Sequence, residues 1–151
     1  MTTIVYDHKN KQIACDSRET SGGFICSDNT IKHKKTEAGI WFVSGVSSDA
    51  DAFINKASHN TKCDAFVDSA AIFVDAKSDV YIVCLDSDNI YKFDILTASD
   101  GIGSGGRTAV CALDFGVTAK KAAEYAISRD CYSGGKVHVY DIESAEFIKN
   151  K

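Results

Sequence analysis

Hydrophobic and polar residues in the first third of the chain follow the short-range pattern of β-strands. Residues 2–7 and 11–16 are rich in β-branched and apolar side chains and are separated by a polar turn at Lys9 and Asn10. This pattern predicts a β-hairpin. Residues 40–43 form a continuous apolar run, which is typical of a strand covered on both faces. Two shorter extended segments are expected before that run, near residues 24–26 and 30–34.

The hydrophobic period then changes from that of a strand to that of a helix. Ala50, Phe53, Ile54 and Ala57 are spaced at i, i+3, i+4 and i+7, which places them on one face of an amphipathic helix. A second short helix is predicted over residues 64–70. Three strand-like runs follow, at residues 71–75, 80–85 and 89–94.

The last third of the chain predicts two helices and a strand. A glycine-rich stretch at residues 101–106 precedes the first helix, which we expect to end near Gly116 because glycine is a good C-cap. Thr118 is placed to cap the start of the second helix. The apolar stripe of that helix consists of Ala119, Ala122, Ala123, Ala126 and Ile127. Residues 136–142 then alternate as a strand.

Helices that come in pairs between strand meanders indicate an α+β fold with two antiparallel sheets between helix layers. The chain has 151 residues, contains no proline and shows no internal repeat. A chain of this length fits one compact domain. We therefore predict a single domain over residues 1–151.

Composition excludes several classes of protein. With 44% hydrophobic and 25% charged residues, the chain has the balance of a globular protein rather than a disordered one. Its formal charge is -4 and it has no basic block interleaved with aromatic residues, so no nucleic-acid partner is expected. No apolar run reaches the roughly 18 residues of a membrane helix, and the N-terminus lacks the features of a signal peptide. We expect no membrane association.

Cysteine and histidine placement predicts no metal site. The six cysteines are scattered, with no CxxC motif and no histidine at metal-ligand spacing, so we interpret them as reduced, mostly structural thiols of a cytoplasmic protein. No serine or cysteine partner pattern accompanies the histidines. All four are interpreted as surface residues: His8, His33, His59 and His138.

The threonine that follows the initiator methionine is the first candidate for chemistry. Removal of Met1 would leave Thr2 with a free α-amine, whose ordinary pKa of about 8 lets it act as a base near neutral pH. It could then take the proton from the hydroxyl of its own residue and make that oxygen a nucleophile. A Met-Thr start is common, so this interpretation needs support from other residues.

Three charged residues are ambiguous when each is taken alone. Lys32 belongs to a charge cluster that is typical of a solvated surface, but a cation beside an amine would also lower the pKa of that amine. Asp16 follows the second strand, where an acidic residue often forms part of a turn. Asp130 comes at the end of a predicted helix, where the helix dipole disfavours a negative charge. Its presence there requires another reason.

Several short segments together resemble the proteasome and HslV family of N-terminal nucleophile hydrolases. The start Thr2-Thr3-Ile4-Val5 is similar to the mature start of that family, and the run Asn29-Thr30-Ile31-Lys32 is similar to the strand that carries its active-site lysine. Four further segments match it: residues 16–22 its D-S-R-x-T-S-G segment, 51–53 the start of its first helix, 102–106 its G-S-G block, and 129–135 its R-D-x-Y-S-G-G block. The last of these is the most specific.

The resemblance implies a four-layer α-β-β-α sandwich and a threonine-type peptidase that acts on peptides or unfolded proteins. Thr2 would be the nucleophile, with its own α-amine as the base. Lys32 would lower the pKa of that amine and would be held in place by Asp16. The implied chemistry requires no cofactor and no metal.

The resemblance also implies roles for residues near the amine. A backbone N–H after the strand at residues 40–43, with Ser47 as the candidate, would stabilise the oxyanion. Three side chains would surround the amine and relay protons: Ser104, Asp130 and Ser133.

The chain departs from the family pattern in two places. Ser47 and Ser48 stand where the family usually has Gly-Gly, which restricts the turn that aims the oxyanion donors. The first helix pair is also shorter than in HslV. Because those helices help to form ring contacts in the family, their shortening leaves open a double ring with an AAA+ ATPase partner. The resemblance still implies a homo-oligomer.

Three functions are consistent with the sequence. The first is a threonine peptidase that hydrolyses peptide bonds through an acyl-enzyme on Thr2. The second is a catalytically silent subunit that acts in assembly or binding, which retention of Met1 would favour. The third is an N-terminal nucleophile amidohydrolase that acts on a small molecule, which an active site opened by shortened helices would suit.

Overall fold

The computed structural model describes residues 2–59 and 69–149. Its α-helices are α1 (Ala50–Ser58), α2 (Gly106–Leu113) and α3 (Ala119–Arg129). Its strands are β1 (Ile4–Asp7), β2 (Gln12–Cys15), β3 (Glu19–Ser21), β4 (Phe24–Ser27), β5 (His33–Thr36), β6 (Gly39–Ser44), β7 (Ala70–Asp75), β8 (Val80–Leu85), β9 (Tyr91–Ile95), β10 (Asp100–Ile102), β11 (His138–Asp141) and β12 (Glu146–Phe147). In the described part of the chain, no helix is long and apolar enough to cross a membrane.

The strands form two five-stranded antiparallel sheets and a separate hairpin. The first sheet has the order β10-β1-β2-β11-β12, and the second has the order β5-β6-β7-β8-β9. The hairpin consists of β3 and β4. The predicted N-terminal hairpin is β1–β2, in which Ile4 lies opposite Cys15.

Side-chain alternation along the strands explains how the two sheets pack on each other. Ile4 and Tyr6 of β1 belong to the apolar cluster that both sheets share, whereas Val5 between them belongs to the cluster under α2 and α3. The apolar run at residues 40–43 behaves in the same way. Its Phe42 enters the shared cluster and its Trp41 packs under α1. Each of these strands is apolar on both faces because each face is covered.

Helices cover the outer face of each sheet and complete four layers. Every alanine of the predicted α3 stripe is buried against the first sheet, and the Thr118 hydroxyl caps this helix by accepting from the Lys121 N–H. On the second sheet, α1 buries Phe53, Ile54 and Ala57. The predicted α-β-β-α sandwich of antiparallel sheets is confirmed.

The structure differs from the sequence prediction mainly in short elements. The segment predicted as a strand over residues 30–34 becomes regular only at His33, because the Thr30 N–H bonds to the Ser17 carbonyl instead of joining the sheet. Three described strands were not predicted: β3, β10 and β12. Each has only two or three residues and depends on pairing with a neighbouring strand, which is β4 for β3, β1 for β10 and β11 for β12. The helix predicted over residues 64–70 lies mostly outside the described residues, and Ala70 already begins β7.

Candidate active site

A buried ion pair joins the two sheets at one end of the sandwich. Asp16 directly follows β2 of the first sheet, and Lys32 directly precedes β5 of the second. The Lys32 Nζ atom lies 2.7 Å from Asp16 Oδ1, and the two side chains are 8% and 0% exposed. A pair this well buried costs desolvation, so it persists only with good geometry and further hydrogen bonds.

Backbone N–H groups supply those further hydrogen bonds to the Asp16 carboxylate. The Thr3 N–H donates to Oδ1 at 3.0 Å, and the Gly134 N–H donates to Oδ2 at 2.9 Å. The Arg18 N–H donates to Oδ2 at 3.3 Å. Donors from three separate segments therefore fix the orientation of the carboxylate, which in turn positions the Lys32 ammonium.

The same ammonium reaches the hydroxyl of Thr2. Lys32 Nζ donates to Thr2 Oγ1 at 3.1 Å, and Thr2 is only 3% exposed. The Thr2 carbonyl accepts from the Gly105 N–H at 3.2 Å, which ties this residue to the glycine-rich segment before α2. A cation that donates to a hydroxyl oxygen stabilises negative charge on that oxygen. The geometry therefore favours nucleophilic chemistry at Thr2 Oγ1.

A second polar network lies beside the first and is centred on Asp130. Its carboxylate oxygen Oδ2 accepts from the hydroxyls of Ser104 and Ser133, and Ser133 Oγ lies 2.7 Å from Thr3 Oγ1. Burial acts to raise the pKa of Asp130, but hydrogen bonds from the two serines and from the Tyr132 N–H outweigh it and hold the pKa below its ordinary value. These bonds explain an acidic residue at the end of α3, where the helix dipole opposes it.

The lowered pKa of Asp130 predicts a contribution to stability that disappears in acid. Because the folded-state pKa lies below the ordinary value of 3.8, the contribution is complete above that value and is lost as the pH falls through the folded-state pKa. We expect Asp130→Asn to lose less stability than the wild type when the pH is lowered from about 6 to about 3. Urea unfolding midpoints at both pH values measure this difference.

A matched control for this prediction is Asp88→Asn, which changes an exposed aspartate in the turn between β8 and β9. It should reproduce the wild-type acid loss. If Asp130→Asn lost as much stability in acid as both the wild type and this control, Asp130 would not be ionised more readily in the folded protein.

The glycines before α2 allow the two networks to approach each other. A Cβ atom on Gly105 would lie 1.8 Å from Thr3 Oγ1, so only glycine fits beside that hydroxyl. Gly103 has a φ of +82°, and a Cβ atom added to it would lie 2.0 Å from the Thr2 carbonyl oxygen. The glycine-rich stretch before α2 thus packs directly against the N-terminal threonines.

Thr2 borders a cleft of about 1170 Å³. One wall is formed by the β3–β4 hairpin, and another by the segment after β6 that contains Ser47. Gly45, the first residue after β6, has the positive φ of 135° that the turn requires, and Ser47 begins a 3-10 turn without such strain. The two serines at 47 and 48 therefore do not hinder the turn, contrary to the expectation from the family's Gly-Gly pattern.

Thr3 and Gly134 take part in the networks although the sequence prediction did not include them. The Thr3 hydroxyl contacts Ser133, and the Gly134 N–H contacts Asp16. Their position beside predicted residues was the sequence signal for both, and for Gly134 the contact is a backbone donor, which has no side-chain signature.

The interpretation of all four histidines as surface residues is wrong for His8, His33 and His138, which are half-buried, whereas His59 is exposed. His33 begins β5 of the second sheet and His138 begins β11 of the first, and their rings meet edge to face with centroids 6.1 Å apart. Burial, with the nearby His138 and Lys35, lowers the pKa of His33 to about 4. Burial, together with the charge of Asp16, raises the pKa of the Cys15 thiol to about 12.

Comparisons with known proteins bear on the fold. No protein-family model matches the sequence, and no curated protein matches it by sequence. Among solved structures, the eukaryotic HslV from Trypanosoma brucei matches with a TM-score of 0.72 and 18% sequence identity, covering 91% of this chain and 97% of that chain. The likeness supports an HslV-like sandwich and concerns the fold alone.

Proposed function

We propose that this protein is a threonine-type endopeptidase whose nucleophile is Thr2, exposed by removal of Met1. The observation that carries the proposal is the position of Lys32 Nζ, within hydrogen-bond distance of both Thr2 Oγ1 and Asp16 Oδ1. We further propose that residues 1–151 form one proteasome-like domain.

In the first step, Thr2 Oγ1 attacks the carbonyl carbon of the scissile peptide bond. The α-amine of the same residue takes the hydroxyl proton, for which a neutral α-amine is suited near its ordinary pKa of about 8. The positive charge of Lys32 stabilises the developing alkoxide. Collapse of the tetrahedral intermediate breaks the C–N bond. The protonated α-amine of Thr2 gives its proton to the leaving amine, and an ester remains on Thr2.

In the second step, water attacks this ester and releases the acid product. The α-amine again accepts a proton, now from the water, and delivers it to Thr2 Oγ1 as the ester bond breaks. Asp130, with Ser104 and Ser133, orients the amine and the water. Ser47 is the candidate oxyanion donor through its backbone N–H, and one such donor contributes about 3 kcal/mol to transition-state stabilisation.

The cleft favours a peptide over a small amide as the substrate. Its volume of about 1170 Å³ exceeds the range of about 300–1,000 Å³ that is usual for small-molecule sites. The neighbouring β3–β4 hairpin offers its strand edges to an extended chain, which peptides often use. The proposed chemistry requires no cofactor, because the chain supplies the nucleophile, the base and the donors.

We also propose that the protein forms a homo-oligomer. Phe24 on β4 and Ile31 just before β5 are 72% and 66% exposed, and each is next in sequence to a residue that lines the cleft. A protein partner that covered them would remove this apolar surface from water. A ring, an AAA+ ATPase partner and a cytoplasmic location are further proposals that rest on the HslV-like fold.

Intact-mass measurement with a peptide epoxyketone tests the proposed function. This inhibitor reacts with both a hydroxyl and a free α-amine on the same residue. The expected result is a mass that lacks one methionine and gains one inhibitor per chain, with no adduct in Thr2→Ala. To separate incomplete processing from an inactive site, the chain is also produced from a fusion that is cleaved directly before Thr2.

Absence of an adduct on a chain that begins at Thr2 would contradict the proposal and favour the silent assembly subunit. An adduct without cleavage of any peptide, but with turnover of a small free amide, would favour the small-molecule amidohydrolase.

A further inference from the structure

Cys15, His33 and His138 meet behind the proposed active site. Cys15 ends β2 and His138 begins β11, and these two residues are directly opposed partners in the first sheet. His33 begins β5 in the second sheet. The Cys15 sulfur and one ring nitrogen from each histidine all lie within 4.8 Å of one another.

This cluster is distinct from the ion pair, although it adjoins that pair in sequence. Cys15 precedes Asp16, and His33 follows Lys32. Neighbouring side chains on extended backbone point to opposite sides. Accordingly, Cys15 belongs to the apolar cluster between the sheets, whereas Asp16 contacts Thr3 and Lys32. The proposed peptidase chemistry uses neither the thiol nor the two imidazoles.

Two ring nitrogens of this cluster are available to bind a ligand. The Nδ1 atoms of His33 and His138 are both buried and have no hydrogen-bond partner among the residues that the structure describes. Buried ring nitrogens are ordinarily satisfied by a protein group, by water or by a metal ion. The surroundings are mainly apolar and aromatic, and the Phe147 ring lies 4.2 Å from the His33 ring, centroid to centroid.

We propose that Cys15, His33 and His138 bind a zinc ion that links the two sheets. Thiolate sulfur and imidazole nitrogen are the ligands that zinc prefers. Calcium and magnesium require oxygen ligands, and no carboxylate belongs to the cluster in the described residues. Because both histidines are only half-buried, a water molecule can occupy the fourth position of the tetrahedron.

Zinc binding releases one proton from the protein. The Cys15 thiol loses its proton to solvent as the sulfur–zinc bond forms, and each imidazole binds through an unprotonated nitrogen. No electron is transferred. The zinc proposal is independent of the peptidase proposal, since a zinc ion at this site would link the two sheets whether or not Thr2 is a nucleophile.

The test uses the full chain without a histidine tag, stripped of metal with a chelator. Co²⁺ is titrated as a spectroscopic substitute and is then displaced by Zn²⁺. The expected results are one ion per chain, a thiolate-to-cobalt charge-transfer band, one proton released per zinc, and a melting temperature that rises with zinc concentration. Magnesium should produce none of these changes.

Variants locate the site. Cys15→Ala should abolish the charge-transfer band, and His138→Gln should weaken zinc binding by at least about 100-fold, the upper end of what loss of a group supporting a ligand costs. The matched controls change the exposed Cys26 and His59, as Cys26→Ser and His59→Gln. Both should bind like the wild type.

Three outcomes would overturn the proposal. They are no binding by the wild type, a band that persists in Cys15→Ala, and unchanged zinc affinity in His138→Gln. Should Cys15→Ala fail to fold, His138→Gln remains decisive, because this residue is half-buried and its metal-free circular dichroism and melting temperature can be compared with those of the wild type.

Discussion

Replacing Thr2 by alanine is expected to lower kcat for peptide cleavage by about 10⁴-fold or more, as loss of a covalent nucleophile does in other hydrolases. The side chain is buried beside Lys32, and its hydroxyl accepts one hydrogen bond from the described residues, that of Lys32 Nζ, so its removal should change stability little. Peptide turnover and urea unfolding, measured on chains that begin at residue 2, test both parts of this prediction.

Two variants show whether the effect belongs to the hydroxyl. Thr2→Ser keeps an oxygen on an N-terminal residue and should retain measurable turnover. Thr3→Ala removes the neighbouring threonine hydroxyl, which contacts Ser133, and should still form the epoxyketone adduct. Turnover by Thr2→Ala at a rate near that of the wild type would exclude Thr2 as the nucleophile.

Replacing Lys32 by methionine is expected to lower the free energy of unfolding by about 3–5 kcal/mol, because the Asp16 carboxylate would stay buried without its cation. The Asp16 side chain is 0% exposed, so water does not compensate for the loss. Peptide turnover should fall by about 10²–10³-fold as well, since the charge beside Thr2 Oγ1 is lost. Urea unfolding and steady-state kinetics measure the two effects.

Lys34→Met is the matched control for this prediction. Lys34 also pairs with an aspartate, Asp51, but the two side chains are 49% and 78% exposed. An exposed pair contributes about 1 kcal/mol or less. If Lys32→Met were no more destabilising than Lys34→Met, the buried pair would not hold the two sheets together at this end.

The double variant Lys32→Met with Asp16→Asn separates stability from catalysis. Neutralising Asp16 removes the unpaired charge, so part of the lost stability should return. Turnover should remain low because the cation beside Thr2 is still absent. Recovery of both properties together would indicate that Lys32 acts only on the stability of the site.

Much of the secondary structure could be predicted because its signals are local. The spacing of Ala50, Phe53 and Ile54 marks one helix face, and the Thr118 hydroxyl caps α3 as predicted. The apolar run at residues 40–43 likewise predicted a strand with both faces covered, as β6 is. In each case the residues that determine the structure lie within a few positions of one another along the chain.

The candidate site could be predicted only in part from its residues. Taken alone, Lys32 was typical of a charged surface and Asp16 of a turn, and only the family resemblance placed them beside Thr2. In the structure these residues come from two sheets, and the network around Asp130 joins them through Thr3 and Ser133. Contacts over such sequence separations depend on strand register, which local pattern does not specify.

By itself the sequence determined the alternation of strands and helices, the apolar faces, and the threonine that follows Met1. Only the tertiary structure decided that Lys32 lies between Asp16 and Thr2, and that Cys15 lies with His33 and His138. The physical reason is that periodicity and capping act between near neighbours in the chain, whereas a buried polar cluster forms where separate strands pair and two sheets pack.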